Sequence, residues 1–218
     1  MRNYLENKNS LNIFDICGTL YKVNTTFEYI KFFHKKNKNF LTYIYVSIVI
    51  SKLGKLLSLI FNFSIRKSVI KTLSGFDIKT LNLTAEKFYD EVLESKKNQL
   101  IFSFFENTDN KMLLSASIDP VVNVIVKRLN CVAKSTLLKY NQNDICLGEI
   151  LEDVKGNKLS KIEGKKIIKV FTDNFDDIDI INSSEKAYLI YPNQKRKNRW
   201  NGVVNELIKI NDFQFLKV

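Results

Sequence analysis

The strongest constraint on this chain is where its short apolar runs fall. Residues 11–17 (LNIFDIC), 111–115 (KMLLS), 167–172 (IIKVFT) and 187–191 (AYLIY) are each too short for a buried helix, so they read as buried strands. Residues 131–133 begin a further extended segment. Between the first run and the second, apolar side chains recur at helical spacing instead. A helix capped by Thr25 or Thr26 carries Phe27, Ile30, Phe33 and His34 on that period, and the signal continues through residues 40–63, 65–73 and 83–93. Pro120 opens another helix over 121–129, a short one follows at 178–181, and 201–208 forms a last one covering a sheet edge. Strand, long helical insertion, strand, helix, strand, strand predicts an α/β fold. A Rossmann-like parallel-sheet core, residues 1–23 and 100–218, carries an inserted all-helical cap at 24–99.

Composition narrows the chemistry. With 218 residues, 45% hydrophobic and 26% charged, the chain suits one globular domain with an insertion. A single histidine excludes His-built metal cages and His relays, leaving carboxylates, lysine or serine for hydrolytic chemistry. Cys17, Cys131 and Cys146 are odd in number and widely spaced, which fits neither a disulfide framework nor a zinc site and favours a reducing compartment. Residues 1–10 are polar and lack the apolar centre of a secretory signal, so a cytoplasmic location is expected. The net charge of +11 is uneven: residues 24–99 hold 13 basic and 6 acidic side chains, which is +7 of it.

Chemistry-bearing residues follow the strands. Asp15 ends the first run and is followed by Gly18, Thr19 and Leu20, a carboxylate at the strand end where α/β folds place ligands. Ser115, Ala116 and Ser117 end the second, where hydroxyls and N–H groups suit either a phosphate oxygen or a helix cap. Lys158 follows a turn at Gly156. Asp173, Asp176 and Asp177 follow the third; three such carboxylates repel one another without a cation, and their hard oxygens suit magnesium.

In this order the motifs resemble those of the haloacid dehalogenase superfamily, in the phosphoserine-phosphatase-like branch whose helical cap follows the first strand, over residues 11–192. The resemblance implies a phosphatase-like hydrolase acting on a small phosphomonoester. Asp15 would be the nucleophile that forms an aspartyl-phosphate. Asp15, the Cys17 carbonyl and Asp173 would hold Mg2+, with Asp177 close by or acting through water. Ser115, the Ala116 N–H and Lys158 would bind phosphoryl oxygens. Ser117, which completes the second motif, and Asn174, which stands where the family usually has serine, would also contact the substrate.

Cys17 is the serious departure, since the pattern D-x-D-G-T-L puts a second aspartate there as general acid and base. A thiol, with a reference pKa of about 8.5, is a poor substitute for a positioned carboxyl. Acid–base help typically contributes about a hundred- to ten-thousand-fold. Slow turnover, substitution by another group, or phosphate binding without turnover all remain open.

The cap leaves a second question. Residues 40–51 carry no charge, and the apolar character runs past Lys52 and Lys55 to Phe63. That segment reads either as a buried cap helix or as an interfacial one beside the active site, with neighbouring lysines and Arg66 on anionic headgroups. The second alternative would extend the substrates to lipid phosphates and the location to the inner face of the membrane. The basic cluster at 195–199 (KRKNR) reads as a solvated loop, and nucleic acid is disfavoured as a partner.

Overall fold

A computed structural model describes residues 10–162 and 164–218. The reading of the polar N-terminus therefore falls, except for Ser10, outside the described residues. β1 (Ser10–Phe14) is followed by α1 (Thr25–Lys36), α2 (Phe40–Val49), α3 (Lys52–Ile60), α4 (Ile65–Lys71) and α5 (Ile78–Phe88). After α5 come a π turn and a 3-10 turn, then α6 (Gln99–Glu106), β2 (Lys111–Ile118), α7 (Asp119–Leu129), β3 (Val132–Tyr140) and β4 (Cys146–Glu152). The chain ends with β5 (Lys166–Thr172), α8 (Ile178–Asn182), β6 (Ser184–Tyr191), α9 (Gln194–Leu207) and β7 (Phe213–Lys217).

The strands form one sheet in the order β4-β3-β2-β1-β5-β6-β7. All neighbours are parallel except β3 and β4. Alternation sorts the side chains by face. Phe14, Leu113, Phe171 and Tyr188 pack towards the inserted helices, while Ile13, Leu114, Val170 and Leu189 pack with Trp200 on the other side. On the first face Phe14, Phe171 and Tyr188 stack in series, with ring centroids 4.3 and 4.2 Å apart.

Polar side chains set the helix starts. Asn24 caps α1 by accepting the Phe27 N–H at 3.0 Å, in place of the expected threonines, which are buried in the first turn. Ser51, Ser64 and Asp77 cap α3, α4 and α5 in the same way. Asn193 caps α9 through the Arg196 N–H at 3.0 Å. The basic run at 195–199 is therefore the first two turns of a helix rather than a loop, and the final sheet edge is filled by β7.

Candidate active site

β1 lies between β2 and β5, where the direction of the strand order reverses, and Asp15 sits just past its carboxyl end. The Asp15 N–H donates to the Phe171 carbonyl at 2.9 Å, which extends the β1–β5 ladder by one residue and fixes the carboxylate in the crevice. The turn that follows needs Gly18, whose φ is +75°. It also lets Asp173 come close, since a Cβ at this position would lie 2.4 Å from Asp173 Oδ2. Thr19 secures the approach by accepting the Asp173 N–H at 3.0 Å.

Lys158 joins the strand ends. Its Nζ donates to Asp15 Oδ1 at 3.1 Å and to Asp177 Oδ2 at 2.7 Å, and all three side chains are buried. Burial opposes the charge on Lys158, but the Asp15 and Asp177 carboxylates outweigh it and hold its pKa above the ordinary value. Asp177 also accepts from the Thr172 hydroxyl at 2.6 Å, and burial raises its carboxyl to about 6. Asp177 thus anchors Lys158 and stands behind the cleft wall rather than in it.

Asp173 is pushed up to about 7 by burial and then by the charge on Asp15, against the pull of Arg196. Arg196 Nη2 donates to the Asp173 carbonyl at 2.7 Å and to Oδ2 at 3.1 Å, and its guanidinium lies 4.3 Å from the Phe175 ring centroid. The motifs did not flag this arginine. Its only signal was Asn193, three residues ahead, which marks a helix start that aims Arg196 back at the strand ends.

These groups open onto a cleft of about 780 Å³ whose wall includes Asp15, Cys17, Ser115, Ala116, Lys158, Asp173, Asn174 and Arg196. The size of the cleft and the charged side chains in its wall suit a small charged ligand. Ser117 is absent from that wall. It is fully buried, with its Oγ 2.7 Å from the Thr25 hydroxyl, so its expected substrate contact gives way to a structural one. Arg66 departs in the opposite direction. The interfacial alternative put it on lipid headgroups, but it points into the molecule, where it donates to Asp153 Oδ2 at 2.6 Å, the Ala116 carbonyl at 2.9 Å and Thr136 Oγ1 at 2.8 Å.

Cys17 is partly exposed in the cleft, and its Sγ lies 2.9 Å from Thr25 Oγ1. Burial and then the charge on Asp15 push the thiol above its ordinary range. It is therefore protonated near neutrality and a poor base.

The donor chemistry fits magnesium. Asp15 and Asp173 supply hard carboxylate oxygens and Cys17 a carbonyl, and Mg2+ is commonly bound by one or two carboxylates with water completing the shell. The Asp173 carboxyl is raised by burial first and by the charge on Asp15 second, and a cation between the two acids would offset the second effect. Among the described residues, no three His, Cys, Asp or Glu side chains converge as a metal cage.

No protein-family model and no curated protein matches the sequence. Solved structures do. The chain is similar to a protein of unknown function from Bordetella pertussis Tohama I, with a TM-score of 0.70 and 12% identity over 93% of this chain and 98% of that one. A haloacid dehalogenase-family hydrolase from Salmonella enterica serovar Typhi gives 0.56 and 10% over 94% and 67%. A phosphoserine phosphohydrolase-like protein from Francisella tularensis gives 0.56 and 12% over 94% of both chains. At these identities the likeness is one of fold. The chain has the haloacid dehalogenase, phosphoserine-phosphatase-like fold.

Proposed function

We propose that a chain with this fold and this cleft is a slow, magnesium-dependent phosphatase-like hydrolase of a small phosphomonoester. The observation that carries the reading is the buried Asp15–Lys158–Asp177 array beside Asp173, gathered at the carboxyl ends of β1 and β5 beside a cleft with charged side chains in its wall. Asp15 attacks phosphorus, the bond to the ester oxygen breaks, and that oxygen leaves taking a proton from solvent; water then cleaves the aspartyl-phosphate to free Asp15 and inorganic phosphate. Lys158 offsets charge between Asp15 and the phosphoryl group, and Ser115 with the Ala116 N–H hold its oxygens. Asp15, the Cys17 carbonyl and Asp173 would hold the magnesium ion, which supplies charge neutralisation when bound. Arg196 steadies Asp173. The helices between residues 24 and 99 act as a cap, and the three free cysteines favour a reducing, cytoplasmic setting.

The Cys17 thiol cannot match a carboxylic acid in protonating the leaving oxygen or activating water, which is why turnover is slow. It also favours a second reading, in which the chain binds phosphorylated ligands without hydrolysing them. A panel of phosphomonoesters with magnesium separates the two. Asp15→Asn is expected to lower turnover by more than about a thousandfold, and Cys17→Asp to raise it by about a hundredfold. Wild-type turnover in Asp15→Asn would sink the enzymatic reading, and turnover confined to Cys17→Asp would establish the second.

A further inference from the structure

We propose that the outer face of α2 and α3 is a docking surface for an anionic lipid bilayer. α2 contains no charged residue. Val46 and Val49 turn inward, while Phe40, Leu41, Ile44, Tyr45 and Ile48, spaced as one helical face, point to solvent, with Leu41 82% exposed. α3 buries only Gly54; Leu53, Leu56, Leu59 and Ile60 are exposed, Leu59 at 81%. Phe61, 70% exposed, extends the same surface. A contiguous apolar surface of this kind marks an interaction site.

The geometry favours lying on a membrane over crossing it. No single described helix is long and apolar enough to span a bilayer, and α2 and α3 meet at a bend of 70°. Gly54 holds that bend, because a Cβ there would lie 2.1 Å from the Val49 carbonyl oxygen. The apolar faces of the two helices are thus fixed relative to each other before any partner arrives.

Charge identifies the partner. From residue 29 to residue 76 the chain carries nine lysines and arginines and no aspartate or glutamate. Lys35, Lys38, Lys52 and Lys55, at the starts of these helices and just before them, are exposed and form no ion pair among the described residues. Two copies of this face would bring like charges together, whereas anionic headgroups neutralise them. Ser58 of α3, with Ser64 and Arg66 just beyond it, borders the cleft, so docking brings its mouth to the headgroup plane. The substrate class this implies, a phosphomonoester carried on a lipid, rests on the phosphatase reading; the docking does not.

Flotation of the full chain with phosphatidylcholine vesicles, with and without phosphatidylglycerol, tests the proposal. Recovery with the anionic vesicles is expected and should fall by about tenfold or more in Leu41→Glu/Leu59→Glu and in Lys52→Glu/Lys55→Glu, and also as salt rises. Circular dichroism confirms folding, since all four side chains are exposed. Turnover of soluble para-nitrophenyl phosphate should be unchanged in both variants. Equal flotation with and without phosphatidylglycerol, or flotation that ignores the substitutions, overturns the proposal. So does absence of flotation together with a dimer in sedimentation that Leu41→Glu/Leu59→Glu dissolves, because a second copy then covers the face. Flotation without any para-nitrophenyl phosphate turnover supports docking and counts only against the phosphatase reading.

Discussion

Gly18 and Gly156 share a left-handed backbone, at φ +75° and +71°, but differ in what a side chain would meet. At Gly156 nothing lies within 4 Å of a Cβ, so Gly156→Ala incurs only backbone strain. At Gly18 the Asp173 carboxylate blocks the space and cannot retreat, since Thr19 holds its N–H and Arg196 holds Oδ2. Gly18→Ala is expected to be the more destabilising of the two by about 1–3 kcal/mol in urea denaturation. Equal costs would mean that Asp173 is free to move. The same neighbourhood shows what single residues reveal in sequence. Asp15, Lys158 and Asp173 stand out in sequence because each follows a strand or turn that the local pattern already marks, and Ser115 because it closes the apolar run of β2. The inward roles of Ser117 and Asp177 do not, because they depend on Thr25 and Lys158, distant in sequence. Arg66 and Arg196 carry no motif at all in a chain rich in basic residues; only their tertiary partners give them meaning.

At the scale of elements, one partly buried and one buried group oppose each other in pH. Asp119 opens α7, accepts the Leu138 N–H at 3.0 Å, and is raised by burial from 3.8 to about 6. Between those values the folded chain keeps a proton that the unfolded chain has released, so this contribution to stability is full below the lower value and is lost as pH rises through about 6. His34 on α1, with Nε2 2.9 Å from Thr72 Oγ1, is lowered by burial from 6.5 to about 4. Its contribution is full above 6.5 and is lost as pH falls through about 4. Each spans some two pH units, at most about 3 kcal/mol. Relative to wild type, Asp119→Asn should therefore gain stability as pH rises from about 4 to about 6, and His34→Gln should gain it as pH falls through the same window. Parallel urea curves for all three proteins across this range would refute the assignment. Legibility also varied by element: the central strands β1, β2, β5 and β6 are continuous apolar runs, whereas edge strands β4 and β7 leave side chains exposed and never form such a run. The first turns of α9 carry no helical period in the sequence because they are polar throughout.

Across the whole molecule, one apolar cluster runs from Phe14, Phe171 and Tyr188 on the sheet into Tyr29, Phe33 and Phe88 of the inserted helices. That shared core resists separation of helices and sheet, and a polar tie beside the cleft would reinforce it. Arg66 is placed to do so. From the start of α4 it reaches Asp153 beyond β4, Thr136 on β3 and the Ala116 carbonyl on β2, three points of the sheet side from one guanidinium. Asp153 answers in its acidity: burial acts to raise its pKa, yet Arg66 and the surrounding donors bring it below the ordinary value. Because the Asp153 side chain is 38% exposed, solvent screening limits the pair, and a double-mutant cycle with Arg66→Ala and Asp153→Ala should give a coupling of about 1 kcal/mol. Arg66→Lys keeps the charge but loses the planar fork that reaches three acceptors, so it should recover less than half of that coupling. If the tie also sets the cleft, both Arg66 variants raise KM for a soluble phosphomonoester more than they lower kcat, because the Asp15 and Lys158 array is built without Arg66. A coupling near zero with KM unchanged would show that the shared apolar core alone holds the inserted helices over the strand ends.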